Sequence, residues 1–436
     1  MKKLANYKKI LESKLLRRIL TLFSGKAVAQ IVLLGFAPII ARLFEPSDYG
    51  AAALLIAIAH IATPVATLSY STAMQLTNRD IDARKLVAMV LISACLFVSI
   101  MTVLIFLLND LTHSEFMKQF EGWEWIVPLM LLLYSIETVV SSWNTRMKQF
   151  KIQATTYVSG TVVGAGSRIV LGWVGGSSVG ALMTGYLLGT LTGVICMVRR
   201  SSIFSQPKLQ ERESQSTFKQ LAVQYRDFPL YATPTAMLQM ASQQLPLFFF
   251  GSLFSPAAAG FYAMAERLVM SPFNLLQTSI RTVYTQHTAD AIKKGRPISF
   301  LLTRASLFTA GVMLVPALLL HRYGEPALTW LLSEKWSTAG IFLEIMSPMI
   351  FFSSLAIPAN VVMVVCRRQS RLLGIQVTTS VALVVGVLIA YQFWGTAEAA
   401  LHAIVIVYAT RHLHVIMLAF SICDQCQRMD SGMKSV

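Results

Sequence analysis

The sequence predicts an all-α polytopic membrane protein, with twelve transmembrane helices in two six-helix bundles related by a pseudo-two-fold along the membrane normal. Three observations carry that prediction. Of 436 residues, 55% are hydrophobic and only 13% charged, about half the ~25% of a soluble domain. Lys and Arg concentrate in alternate loops between the apolar runs. And the stretch "RLFEPSDYG" at 42–50 returns, loosely, as "SLFSPAAAG" at 252–260.

The spans come first. A helix needs ~20 apolar residues to cross the hydrocarbon of a bilayer. Twelve segments qualify, at about 20–43, 49–75, 84–108, 124–147, 153–174, 177–198, 228–251, 257–287, 299–321, 336–365, 370–394 and 397–422. Several are long enough to tilt. With both termini in the cytoplasm, 28 of the 37 Lys and Arg fall in inner segments or at the inner ends of spans. Four (Arg42, Lys118, Arg322, Lys335) fall in outer segments or at an outer span end, and five lie deeper inside spans. That bias orients the chain with both ends inside.

The remaining segments follow from this count. Residues 1–18 form a basic N-terminal segment whose Leu4, Tyr7, Leu11 and Leu15 keep one helical face. Residues 19–198 form the N-terminal six-helix bundle and 228–422 the C-terminal one, with a cytoplasmic tail at 423–436. Between the bundles, 199–227 is a cytoplasmic linker. Its "SQPKLQERESQS" is polar and flexible in composition, whereas "TFKQLAVQYRD" has the spacing of a short helix on the membrane surface. The first apolar run extends to about Leu43, too long for the ~7–15-residue core of a cleavable signal peptide. Net charge is +16, but the cations are spread over short loops, which excludes a nucleic-acid stripe. Cys95, Cys196, Cys366, Cys423 and Cys426 show no disulfide or metal framework.

The two similar turns lie 210 residues apart, each at the outer end of the first span of its half. A Pro after one helix and a Gly before the next suit a tight helix–helix turn. Six spans then map onto six in one orientation, a parallel repeat whose transport path is expected between the halves. Glu45 and Asp48 are expected to pair locally with Arg42.

Polar residues inside apolar helices mark the candidate site. In the eighth span Arg267, Ser271, Asn274, Thr278, Arg281 and Thr285 step by fours and threes, which keeps one face of a helix. Arg267 and Arg281 would stand roughly 21 Å apart at ~1.5 Å per residue. In the second span His60, Thr63, Thr67, Ser71 and Gln75 step similarly. Such stripes face a cavity or another helix rather than lipid. The alternative is that the hydroxyls bond their own backbone. Lys26, with Gln30 one turn on, and Arg411, beside His412, either add to a cationic cavity or snorkel. Arg168 is expected to snorkel outward. Glu137 shares a mid-span face with Tyr134, Ser141 and Asn144. It is either an ion-coupling site or, the favoured reading, the partner of a buried cation. Glu266 points about 100° from Arg267, and Glu344 reads as structural. Gly160, Gly164, Gly185, Gly189 and Gly193 have helix-packing spacing, and prolines in or near the spans, Pro64 and Pro246 among them, can kink helices. No P-loop, catalytic triad or metal-spaced His/Glu pair stands out, so the protein is read as a non-enzyme without catalytic residues, metal or cofactor.

The segment from "ARLFEPSDYG" to "STAM" (41–74) resembles the first repeat of the polysaccharide or O-antigen (Wzx-type) flippases of the multidrug/oligosaccharidyl-lipid/polysaccharide (MOP) exporter superfamily. "FPLYATPTAMLQMASQQLPLFFFGSLFSPAAAGFY" (228–262) resembles that family's seventh and eighth spans. The resemblance implies alternating access that moves an undecaprenyl-pyrophosphate-linked sugar repeat unit from the inner to the outer leaflet of a bacterial inner membrane. O-antigen, capsule or exopolysaccharide synthesis would use it. Arginines can pair with pyrophosphate bidentately. A proton or sodium gradient is the expected coupling, if any. A polysaccharide polymerase and a chain-length regulator are the expected partners, together with the lipid-linked glycan and the bilayer. The competing readings are a cation-coupled multidrug-type efflux antiporter and a non-transporting assembly subunit. Arginines rather than acids on the stripe weigh against the antiporter.

Overall fold

The computed structural model describes residues 25, 27–77, 79–111, 118–120, 122–204, 216–293, 297–366 and 368–433. At 108–111, at 424–433 and at ten positions between 271 and 293 it describes the backbone alone. Among these residues every regular element is helical, and contacts divide the chain into two compact units, 1–244 and 245–436. Each of the twelve expected spans overlaps a helix. Eight of those helices are long and apolar enough to cross a membrane by length and composition.

In the first unit α1 (Ala27–Leu43) turns through Phe44 and Glu45 into α2 (Pro46–Thr67). Pro46 stands in the first turn of the helix, where its missing N–H costs nothing. The expected continuous helix over 49–75 is broken. Leu68 and Ser69 adopt left-handed φ values of 48° and 51°, and a four-residue turn, α3 (Tyr70–Ala73), follows. Left-handed backbone is costly for a residue like leucine. Neighbouring bonds hold it. Thr233 Oγ1 donates to Ser69 Oγ at 3.1 Å and Ser93 Oγ donates to the Ala66 carbonyl at 2.9 Å.

Then come α4 (Asp80–Leu111), α5 (Ile126–Arg146), α6 (Phe150–Gly175) and α7 (Val179–Arg200). The glycine spacing does what it predicts. A Cβ on Gly189 would lie 2.6 Å from Gly164 Cα and 2.8 Å from the Gly160 carbonyl oxygen, so α6 and α7 meet backbone to backbone. Around α3 Tyr70, Met74, Leu86, Trp143, Met197 and Leu221 form one buried cluster. It takes in α8 (Phe218–Gln224), the short helix expected in the linker, which starts with a Thr217–Gln220 capping box. Lys85 Nζ donates to the Ser216 carbonyl at 2.5 Å and Arg84 to that of Ile203 at 2.8 Å. The described ends of the linker are therefore part of the first unit.

Arg146 ties this end of the unit together. It donates to Asp80 Oδ1 at 2.9 and 2.8 Å and to the carbonyls of Met74 and Thr77 at 2.9 and 2.6 Å. Those carbonyls lie just past the end of α3, and that of Met74 also accepts the Thr77 hydroxyl at 3.0 Å. Tyr225 lies beside the same network. Partial burial and Asp82 lift its phenol above the ordinary pKa, and Arg146 pulls the other way.

Helix α9 (Thr233–Phe249) is flanked by π-helical turns at Phe228–Ala232 and Phe250–Phe254, and the boundary between the units falls inside it. The second unit continues with α10 (Pro256–Lys293), α11 (Ile298–Leu331), α12 (Ser337–Val365), α13 (Gln369–Trp394) and α14 (Ala397–Met433). Helix α11 runs ten residues beyond the expected end at 321, through an expected outer loop. Glu344 explains this: its Oε1 accepts the Glu325 N–H at 2.9 Å, just before Pro326, where a helix loses its own hydrogen bonding. Glu344 is thus structural, as read from the sequence. Tyr284, Leu302, Val362, Ile375, Val415 and Ile422 share the inner core. Cys366 is disulfide-bonded, where the sequence showed no disulfide framework; Cys95, Cys196 and Cys423 are in no disulfide.

Candidate functional site

Helix α10 separates its faces. Tyr262, Met264, Ala265, Val269, Phe273, Tyr284 and Thr288 are buried, whereas Asn274, Thr278, Arg281 and Thr285 are exposed and Arg267 is half-buried. The polar stripe therefore points away from the packed core of its own unit, as the 4-3-4-3-4 spacing predicts. Thr278 and Thr285 donate to the carbonyls of Asn274 and Arg281, at 2.8 and 2.7 Å. Their hydroxyls serve the helix, and the guanidiniums carry the chemistry of this face. Ser271 is described by its backbone alone, and Lys26 lies outside the described residues, as does the basic segment 1–18.

The core-facing side of the same helix holds groups that the sequence reading left out of the site. Glu266 lies within electrostatic reach of Tyr262, one turn before it, and of Tyr408 on α14. Tyr408 in turn interacts with Arg411. Arg411 Nε and His412 Nδ1 are buried with no hydrogen-bond partner among the described residues. So Arg411 lies within electrostatic reach of Tyr408, which is itself within reach of an acid and a second phenol of its unit. The i, i+4 spacing of Tyr262 and Glu266 was visible in sequence. The contact between α10 and α14 that completes the group was not.

In the first unit the second-span stripe divides. His60 is exposed and stacks on Tyr134, ring centroids 4.3 Å apart and 15° between planes. Thr63 and Thr67 donate to the carbonyls of Ala59 and Thr63 at 2.8 and 3.0 Å, the self-bonding alternative. The break at Leu68–Ser69 takes Ser71, which is buried, and Gln75 off the face of His60. Gln30 Nε2 is buried without a partner among the described residues.

Glu137 is half-buried and acts electrostatically on Tyr134 and Tyr157. Of the residues expected on its face, Asn144 is structural: its Oδ1 accepts from Ser201 Oγ at 2.7 Å. Arg168 does not snorkel. It is 2% exposed, donates from Nε to the Gly164 carbonyl at 3.0 Å and stacks over Tyr186 at 4.2 Å. Snorkelling needs a free path to water, and the close approach of α7 around Gly185 leaves the Arg168 side chain packed against it instead. Among the described residues no group of three or more His, Cys, Asp or Glu could hold a metal ion.

A family model described as polysaccharide biosynthesis protein matches residues 39–341. The chain belongs to that family. The matched stretch includes both copies of the outer turn and the whole of α10. The fold agrees with the MOP superfamily. The lipid II flippase MurJ, in an inward closed conformation, superposes with a TM-score of 0.72 at 11% identity, covering 94% of this chain and 91% of that one. An inward-facing multidrug resistance MATE family transporter of the MOP superfamily gives 0.69 at 14% identity, covering 91% and 95%. An outward-facing structure of that description gives 0.55 at 13%, covering 94% and 96%. At such identities the likeness is one of fold. No curated protein matches the chain. The solved neighbours are a lipid II flippase and multidrug transporters, in line with the fold that the sequence motifs implied.

Proposed function

We propose that this member of the polysaccharide biosynthesis family flips an undecaprenyl-pyrophosphate-linked oligosaccharide repeat unit from the inner to the outer leaflet of a bacterial inner membrane, by alternating access and without catalysis. The observation that carries the reading is the exposed, cationic face of α10, inside the matched region. A diphosphate cannot cross hydrocarbon bare, since desolvating an ion costs several kcal/mol or more. Two guanidiniums at successive depths offer it bidentate partners in sequence. We assign Arg267 and Arg281 that role, with Asn274 beside them for sugar hydroxyls. Arg411 joins Glu266 and Tyr408 in a second group suited to hold a coupling proton, and Glu137 with Tyr157 is the corresponding candidate in the first unit. Both termini are placed in the cytoplasm, from the loop charges, and polymerase and chain-length regulator are the proposed partners.

The test is a deletion strain complemented with Arg267→Ala, Arg281→Ala or both. Each single change removes charge-assisted hydrogen bonds worth roughly 1.5–3 kcal/mol, so polymer display should fall about tenfold or more at unchanged protein level. Full complementation by the double variant would sink the assignment. The likeness to multidrug transporters supports a second reading, cation-coupled efflux of small molecules. It predicts that the deletion strain becomes sensitive to cationic dyes while its surface polymer stays intact.

A further inference from the structure

Helix α9, in the expected seventh span, carries a second polar face. Thr235, Gln239 and Gln243 step by four, which keeps them on one side of a helix, and all three are exposed. Tyr231 stands four residues before Thr235, whose Oγ1 donates to the Tyr231 carbonyl at 2.7 Å. Its side chain is 70% exposed. The row thus runs from an aromatic ring to two amides, over about 18 Å at ~1.5 Å per residue. We propose that this face binds an uncharged, hydroxyl-bearing part of the glycan; the assignment rests on the flippase reading above.

The amides exclude a lipid chain. Thr235 gives its hydroxyl to its own helix, but among the described residues neither Gln239 nor Gln243 makes a hydrogen bond through its side chain. Each carboxamide has two N–H donors and a carbonyl acceptor. Such groups are costly when bare in hydrocarbon, so neither an acyl nor an isoprenoid tail matches them.

Charge narrows the choice further. From Phe228 to Ala265 the sequence has no Lys, Arg, Asp or Glu. Neutral amides cannot balance a diphosphate, the task assigned to Arg267 and Arg281 on α10. No carboxylate stands among them to hold a proton or a metal cation. The matching ligand is polar, uncharged and able both to donate and to accept. Sugar hydroxyls do both, and adjacent hydroxyls on a pyranose can be bridged by one carboxamide, through a donor and the acceptor. Tyr231 adds an aromatic surface for the C–H face of a sugar ring. Anchoring at the membrane interface would account for Tyr231 alone, but not for amides about 12 and 18 Å further along the helix.

The experiment measures lipid binding to the full-length protein in nanodiscs of phosphatidylethanolamine and phosphatidylglycerol. The probes are undecaprenyl diphosphate and the same lipid carrying one N-acetylglucosamine, a neutral sugar. The sugar-bearing probe should bind about tenfold more tightly. Combining Gln239→Leu with Gln243→Leu should abolish that gain, so that the two probes bind alike. Tyr231→Ala should shrink the gain severalfold and Tyr231→Phe should preserve it, which tests the face even if the glutamine variant folds poorly. An undiminished gain in the folded double variant overturns the assignment. Equal binding of both probes to the wild type overturns it too and leaves the flippase reading standing. Self-association that the double variant abolishes would then assign the face to a second copy of the chain. Failure of both probes to bind overturns the glycan face and the flippase reading together.

Discussion

The helix pairs α6–α7 and α13–α14 occupy the same place in the order of their halves and close with the same kind of turn. Gly176 and Gly395, both at positive φ, donate their N–H to carbonyls four residues back, Gly172 at 3.1 Å and Tyr391 at 3.0 Å. Ser178 and Thr396 then accept the N–H of Ala181 and Ala399, at 3.2 and 3.3 Å. Yet the interfaces below those turns differ. In α6–α7 glycines bring backbones into contact, and in α13–α14 Gly386 opens a groove. A repeat can keep its turn chemistry, which fixes topology, while its packing faces diverge toward different work.

The largest effect should come from filling the tight pair. Gly189→Leu drives a side chain into the Gly160 and Gly164 backbone, which cannot rotate away, and overpacking of this kind costs about 3 kcal/mol or more. We expect no monodisperse protein on size-exclusion chromatography in detergent. A well-folded Gly189→Leu would mean that the two pairs are equally loose.

The outer turns sharpen the comparison next. Phe44 is fully buried and lies where a Gly172 Cβ would be, 2.7 Å from its ring. Its counterpart Phe254 is half-buried and meets Tyr391 edge-on at 5.4 Å. Phe44→Ala should lower stability by about 3 kcal/mol and Phe254→Ala by roughly half of that, read as thermal midpoints in one detergent. Equal shifts would remove the distinction. Arg146→Ala strips two carbonyls and Asp80 of their shared donor. It should cost about 1–2 kcal/mol, the low end for a charged hydrogen bond because Asp80 is partly exposed. The second unit should keep its own melting step. The smallest effect belongs to Gly386→Ala, within about 0.5 kcal/mol of wild type. A large loss there would show that the groove closes in the native protein.

The acids of the first turn repay the same attention. Asp48 accepts a hydrogen bond from Ser177 Oγ, which in turn accepts the Glu45 N–H at 2.8 Å. The turn is latched to the α6–α7 loop, where its sequence suggested a local pairing with Arg42. In the copy, Ser255 accepts the Ala258 N–H at 3.1 Å and caps its own helix. The acidic residues of one copy and the alanines of the other thus answer to different neighbours.

What the sequence determined by itself was whatever depends on spacing along one helix or on bulk composition. Spans, the repeat, the glycine zipper and the split of α10 into polar and apolar faces all follow from a 3.6-residue period and the cost of polar groups in lipid. So does the family, because its motifs are contiguous. The tertiary structure alone decided where two helices meet. No Gly or Pro announces the left-handed break at Leu68–Ser69; Thr233 and Ser93, distant in sequence, hold it. Arg168 turns inward because Tyr186 and the glycine-lined face of α7 are there to receive it. Glu266, Tyr408 and Arg411 become one group only when α10 touches α14, and the groove beside Gly386 exists only because α14 supplies its other wall. A period along one chain segment says which face is apolar, but not how closely the next segment approaches it.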